Sequence, residues 1–140
     1  MDGKFELPQK LATLSLFGLG TFVDTRGVYW LINQESVLNE SEFYRALHEV
    51  MPIWIWGFVL LIFGTCLMIA SLFFGKRKVN NVSNYFMLIG GTGSAIIHFL
   101  MASASIYNAI NWLTPAQFVV MTAWLGYVGF LGGVDIHGRR

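Results

Sequence analysis

Residues 53–74, with the sequence IWIWGFVLLIFGTCLMIASLFF, decide the fold because they form an apolar run without a single charged side chain. A helix rises about 1.5 Å per residue, so a run of this length covers the roughly 30 Å hydrocarbon core of a bilayer. Trp54 and Trp56 lie at its beginning, where membrane helices carry interfacial aromatic side chains. The sequence therefore predicts a transmembrane helix here.

Three further stretches have a similar length and composition. They are residues 11–32, 85–107 and 116–134, of which the last two are the more apolar and the first is interrupted by Asp24 and Arg26. No cleavage site of the small-x-small type follows Val23, so we interpret the first stretch as a retained helix rather than a signal peptide. We predict an all-α membrane protein whose four transmembrane helices form one domain over residues 1–140.

The composition agrees with a protein surrounded by lipid. Apolar residues make up 55% of the chain and charged residues only 12%, whereas a soluble protein is about one quarter charged. The net charge is +1 and no long basic face is present, so we do not expect nucleic-acid binding. Cys66 is the single cysteine, which excludes an intramolecular disulfide bond and a cysteine-based metal cluster.

The charges of the loops predict an orientation. Basic residues precede the first span, follow the second and follow the fourth: Lys4, Lys10, Lys76, Arg77, Lys78, Arg139 and Arg140. The loop at residues 33–52 instead holds four glutamates against Arg45. Because cytoplasmic loops are enriched in lysine and arginine, we predict that both termini are cytoplasmic, in a bacterial cytoplasmic membrane.

The outer loop between the first two spans contains a second pattern. In residues 41–51, SEFYRALHEVM, the apolar residues Phe43, Leu47 and Val50 recur at helical spacing. This predicts a short amphipathic helix on the outer face of the membrane. Two roles remain open for it: a lid packed on the helix bundle, or a surface that binds a partner.

Ionisable residues inside a span are energetically expensive and are therefore functional candidates; here they are Asp24, Arg26 and His98. Asp24 is 13 residues past Leu11 and His98 is 13 residues past Tyr85, which puts both at a similar depth. One hypothesis is a proton-sharing pair of Asp24 and His98. The alternative is that His98 bonds to a neighbouring hydroxyl or carbonyl group and only holds helices together. Because residues two apart point in nearly opposite directions, we expect Arg26 to extend away from Asp24, toward Glu35 or a lipid headgroup.

Small residues at regular spacing predict close helix packing, because they let helix backbones approach one another. Within residues 53–74 they recur every seven positions, and in the later spans they lie four apart. The residues concerned are Gly57, Gly64 and Ser71, then Gly90 with Ser94, Gly91 with Ala95, and Gly129 with Gly133. The pattern predicts tight association, either within one chain or between copies.

No motif supports catalysis or a bound cofactor. No serine, threonine or cysteine has a base at an interpretable spacing, and no span holds a pair of carboxylates. His48, His98 and His137 fall in the outer loop, mid-membrane and the inner tail, so they are not expected to share a metal ion or a haem. We predict a protein that is not an enzyme and has no metal or cofactor.

In its general make-up, the chain resembles the small multi-span membrane proteins of tailed bacteriophages and prophages, holins among them. The resemblance lies in the small size, the four spans, the short termini and the glycine patterns, and it transfers no functional residue. It implies a protein that self-associates into a pore or membrane lesion. The tail at residues 135–140 is less charged than many holin tails.

Two other functions remain open from the sequence. One is a small accessory subunit of a secretion, transport or respiratory complex, in which partner membrane subunits cover part of the aromatic surface. The other is a compact dimeric transporter or channel in which Asp24 and His98 couple ion movement.

Overall fold

A computed structural model describes residues 7–76, 80–108 and 111–138 of the chain, and these residues form helices without any strand. The prediction of an all-α protein is confirmed for this part of the chain. The helices are α1 (Leu7–Ile32), α2 (Gln34–Glu40), α3 (Glu42–Val50), α4 (Ile53–Phe73), α5 (Val82–Asn108) and α6 (Leu113–His137), with a 3-10 turn at Phe74–Lys76 after α4.

Prolines set two of the helix boundaries. Met51, the residue before Pro52, has an extended backbone with φ −159° and ψ 140°, and this separates α3 from α4. The extended conformation follows from the steric clash between a proline ring and a helical residue before it. Pro115 lies in the first turn of α6, where it disturbs no helical hydrogen bond, and α6 begins two residues before it, at Leu113, slightly before the predicted start.

Three helices in the described residues are long and apolar enough to cross a membrane: Ile53–Lys76, Val82–Asn108 and Leu113–His137. They contain the predicted spans 53–74, 85–107 and 116–134. The other predicted span, residues 11–32, lies within α1, which is 26 residues long but is not one of these three.

Helices α1 and α4 run antiparallel at very short distance, with pairs of glycines at the contact. A Cβ atom added at Gly20 would lie 2.8 Å from the carbonyl oxygen of Gly64, and one added at Gly27 would lie 2.7 Å from that of Gly57. Because Gly20 pairs with Gly64 and Gly27 pairs with Gly57, the two helices keep one antiparallel register over at least two turns. Side chains larger than hydrogen would force these backbones apart.

Helix α5 lies between α4 and α6 and is the most buried of the long helices. On one side the Ser83 hydroxyl donates a hydrogen bond to the carbonyl oxygen of Ala70 in α4, at 2.8 Å. On the other side Gly91 meets the backbone of Gly129, and Gly132 meets that of Asn84, in an antiparallel register. The close helix pairs are thus α1 with α4, α4 with α5 and α5 with α6.

Helices α2 and α3 cover one end of the bundle, which we call the cap end. The buried side chains of α3 are Phe43 and Leu47, and the ring of Phe43 stacks on Phe118 of α6 with centroids 5.5 Å apart. The Trp56 indole N–H donates to the carbonyl oxygen of Leu47 at 3.1 Å. The buried side of α3 thus packs on the bundle, and we call this segment the lid.

The predicted orientation rests partly on residues outside the described part of the chain. These are Lys4, Arg77, Lys78, Arg139 and Arg140. Lys10 and Lys76 are described, and both are exposed at the end of the bundle away from the cap.

Candidate functional site

Asp24 lies on the face of α1 that contacts α4. Its Oδ2 atom accepts a hydrogen bond from the Thr65 hydroxyl at 3.3 Å, and its Oδ1 atom is buried without a hydrogen-bond partner in the described residues. A Cβ atom added at Gly64 would lie 2.1 Å from Oδ1. Gly64 therefore makes the space that the Asp24 carboxylate fills.

His98 is completely buried in α5 and uses its own helix as a partner. Its Nδ1 atom is 2.9 Å from the carbonyl oxygen of Ser94, and because a carbonyl only accepts, this bond requires the proton on Nδ1. Nε2 is then an acceptor, and no described residue donates a hydrogen bond to it. The ring packs edge-on to Phe118, with centroids 6.2 Å apart.

The predicted pair of Asp24 and His98 does not form in this structure. Asp24 bonds to Thr65 on α4, whereas His98 bonds to Ser94, and no hydrogen bond or ion pair joins the two within the described ranges. The arrangement of His98 matches the alternative interpretation, a histidine bonded to a neighbouring carbonyl group. An equal depth along two helices does not ensure that their side chains face each other.

Arg26 points in a different direction from Asp24, toward α6. Its guanidinium carbon lies 4.8 Å from the ring centroid of Phe118 and 5.7 Å from that of Phe22. Both distances fit cation–π contacts. No carboxylate pairs with Arg26 in the described part of the chain, and the predicted contact with Glu35 is not formed.

The polar side of Arg26 opens into a cavity of about 340 Å³ at the cap end. Arg26, Tyr44 of α3 and Gln117 of α6 line this cavity. Glu40 also lines it, and its carboxylate accepts a hydrogen bond from the Tyr29 hydroxyl. Burial raises the pKa of the Tyr44 phenol above its ordinary value, so the hydroxyl keeps its proton at neutral pH. The cavity thus holds a cation, one carboxylate and neutral hydrogen-bonding groups.

A second cavity meets the first at Arg26. It has a volume of about 480 Å³ and lies between α1 and α6. Its walls are mainly apolar and include Phe22, Val120 and Met121, while Arg26, Gln117 and Phe118 belong to both cavities. The guanidinium therefore stands where an apolar groove meets a polar cavity.

The predicted packing residues are mostly buried at helix contacts. Gly57 and Gly64 face α1, Gly90 faces Phe63 and Leu67 of α4, and Gly91 faces α6, while Ser71 and Ser94 are buried. A Cβ atom added at Gly129 would lie 2.5 Å from the Thr92 hydroxyl oxygen. The residue that makes the next close contact along α6 is Gly132, whereas Gly133 has only an ordinary contact, at 3.5 Å from Leu88.

Gly133 instead lines a groove on the outer surface of α5 and α6. The groove has a volume of about 770 Å³ and a largely apolar lining. It is lined by Leu88, Thr92, Gly126, Gly129, Phe130, Gly133, Val134, His137 and Gly138. We call it the α6 groove. It lies on the helix at the end of the series of packed pairs, where Phe130 and Val134 are exposed.

The histidines lie in three separate places, in α3, α5 and at the end of α6. Within the ranges that the structure describes, no three histidine, cysteine, aspartate or glutamate side chains come together as a metal site would require. His48 accepts a hydrogen bond from the backbone N–H of Ile53, which places it in the joint between α3 and α4.

Sequence reasoning missed Gly20 and Gly27, which are the α1 partners of Gly64 and Gly57. The signal was present, since both pairs have the same spacing of seven residues. It also missed the contact of Arg26 with Phe118, which depends on how α6 approaches α1 at the cap end.

Comparison with known proteins places no relative beside this chain: no family model, no curated protein and no solved structure matches it.

Proposed function

We propose that this chain is a non-enzymatic integral membrane protein that crosses the bilayer four times and acts by associating with further copies of itself, as holins do when they form a membrane lesion. The α6 groove is the observation that carries the proposal. Three apolar helices of membrane-spanning length support the membrane location.

The packing of α1 supports a fourth crossing. Helix α1 contacts the 3-10 turn at one end of α4 and, through Gly27, reaches Gly57 near the other end. A 26-residue helix that packs along nearly the whole of a helix of membrane-spanning length is expected to cross the same layer. One polar group that makes α1 less apolar is also partly accommodated, because the Asp24 carboxylate accepts a hydrogen bond from the Thr65 hydroxyl.

The charges at the two ends of the bundle support cytoplasmic termini. Lys10 and Lys76 lie at one end, while the cap end holds Glu35, Glu40, Glu42 and Glu49 against Arg45. Antiparallel packing of each successive pair of long helices returns the end of α6 to the side where α1 begins. Cytoplasmic termini then follow from the enrichment of basic residues on the inner side of membranes.

The make-up of the α6 groove favours a helix of a second copy as its occupant. Inside the chain, two contacts between long helices are built from glycines that meet an opposite backbone, at Gly20 with Gly64 and at Gly91 with Gly129. The α6 groove repeats that composition, with Gly126 and Gly133 facing outward beside the exposed ring of Phe130. Two copies related by a twofold axis would insert Phe130 of each into the groove of the other.

The test fills the groove without disturbing the chain that forms it. A Cβ atom at Gly126 lies 3.7 Å from the nearest atom and one at Gly133 lies 3.5 Å from Leu88, so both positions accept a side chain. We expect Gly126→Leu with Gly133→Leu to lower the oligomer fraction at least fivefold in detergent, measured by cross-linking and light scattering. Gly18→Leu is the matched control, because a Cβ atom there meets nothing within 4 Å.

The same variants test the lesion. Induced expression of the unaltered chain in a bacterium is expected to collapse the membrane potential, and the double variant is expected to delay or abolish the collapse. A potential that stays intact with the unaltered chain would exclude the lesion function. Oligomers that persist in the double variant would show that another surface mediates association.

The second candidate function is that of an accessory subunit in a larger membrane complex. The exposed aromatic side chains of α6, Trp124, Tyr127 and Phe130, are the observation in its favour. A monomeric chain that co-purifies with a partner through this face, and loses it in the double variant, would favour this candidate over self-association.

A further inference from the structure

From the geometry around Arg26 we infer a binding site for one anionic phospholipid at the cap end of the bundle, with the phosphate on the guanidinium and an acyl chain in the groove between α1 and α6. The site is independent of the α6 groove, because the two share no residue.

The first support is an arginine without a protein anion. Arg26 is half-buried between the rings of Phe22 and Phe118, and none of the described carboxylates forms an ion pair with it. The Glu40 carboxylate also lines this cavity, where it accepts a hydrogen bond from the Tyr29 hydroxyl and forms no ion pair with Arg26. A partly desolvated guanidinium gains from an anion, and its planar fork of N–H groups fits two oxygens of one phosphate.

The second support is the way the two cavities join. At the cap end, the cavity of about 340 Å³ beside Arg26 contains the polar side chains of Tyr44, Thr114 and Gln117, which can donate hydrogen bonds to phosphate oxygens. The groove of about 480 Å³ between α1 and α6, which also reaches Arg26, is lined by apolar groups such as Val120 and Met121. A ligand that fills both must be polar and anionic at one end and apolar at the other.

The third support is the depth of Arg26. It lies six residues before the end of α1 at Ile32, which corresponds to about 9 Å along the helix. Phe118 lies a similar distance inside the start of α6 at Leu113. An arginine at this depth extends toward the plane of the headgroups, where lipid phosphates are the abundant anions.

The experiment measures retained lipid on the intact purified chain. Protein stripped of lipid in detergent is incubated with phosphatidylglycerol, phosphatidylcholine, oleate or inorganic phosphate, and bound molecules are counted by native mass spectrometry. We expect one phosphatidylglycerol per chain, at least fivefold more than phosphatidylcholine at equal concentration. Arg26→Gln should reduce its retention about tenfold, and Arg26→Lys should reduce it less.

Two further variants separate the site from general effects. Val120→Trp blocks the apolar groove at an exposed position and leaves the charge of Arg26 in place. We expect it to reduce retention about tenfold as well, and it tests the site without relying on the folding of Arg26→Gln. Arg45→Gln removes an exposed arginine that is paired with Glu42, and it should leave retention unchanged.

Retention that is unchanged in both Arg26→Gln and Val120→Trp would overturn the site. Equal retention of oleate would show a fatty-acid site instead, and equal retention of inorganic phosphate would show a free-anion site. Either of these outcomes contradicts a phospholipid as the ligand.

Discussion

At the scale of single residues, the molecule separates two ionisable side chains that the sequence places only two positions apart. Asp24 is held against α4 by Thr65, and Arg26 is held against α6 by Phe118. The opposite directions follow from the 100° turn that each residue adds along a helix, and the sequence predicted this separation. The partners themselves could not be predicted, because they depend on which helices are neighbours.

The fit between Gly64 and Asp24 gives a prediction about stability. In Gly64→Ala the new methyl group would meet the Asp24 carboxylate and the carbonyl oxygen of Gly20, so α1 and α4 must separate. We expect a loss of about 1–3 kcal/mol in the free energy of unfolding, the usual effect of overpacking, measured by thermal or denaturant unfolding in detergent.

Gly18→Ala is the control for this prediction. Gly18 is exposed on the same helix and has free space around its Cα atom, so the substitution should leave stability unchanged or raise it slightly. Equal stability of the two variants would show that the α1/α4 contact is looser than the structure has it.

At the scale of helices, apolar runs and prolines were enough to locate α4, α5 and α6 to within a few residues. Helix α2 was not predicted, because its sequence QESVLNE is polar and only Val37 is buried. The sequence also did not predict that Gly132, rather than Gly133, makes the close contact with α5. Positions three and four residues after Gly129 both lie near its face, and only the approach of α5 decides which of them is at the contact.

The joint between α3 and α4 gives a prediction at this scale. Trp56→Phe keeps an aromatic ring but removes the indole N–H that donates to Leu47, and we expect α3 to open more readily. The lost hydrogen bond is worth about 1 kcal/mol, which corresponds to roughly fivefold faster local exchange. The measurement is amide hydrogen exchange over residues 42–50.

Trp54→Phe provides the comparison, because Trp54 is exposed, lies two residues before Trp56 and has no hydrogen bond to the lid in the described residues. Its exchange over the same residues should match that of the unaltered chain. If both tryptophan variants behave alike, the indole bond does not hold the lid.

At the scale of the whole molecule, the long helices form a series in which each packs mainly on the next, α1 on α4, α4 on α5 and α5 on α6. The helix in the middle of the series, α5, is buried on two sides, whereas α6 is buried along one face only. The remaining face of α6 is the surface that we propose for self-association, and the space between α6 and α1 is the groove that we propose for a lipid.

The four crossings that we propose give the last prediction, which depends on where three exposed positions lie relative to the bilayer. In a Cys66→Ala background, Lys10→Cys and Lys76→Cys should react with an impermeant thiol reagent only from the cytoplasmic side, and Ser36→Cys only from the opposite side. Lys10 lies in the first turn of α1 and Ser36 follows its end, so opposite labelling of these two requires that α1 crosses the membrane. Labelling of Lys10→Cys and Ser36→Cys from the same side would reduce the crossings to three, and labelling of Lys76→Cys from outside would reverse the orientation. Because α1 packs on α4 from their glycine contacts to the 3-10 turn, we expect neither result.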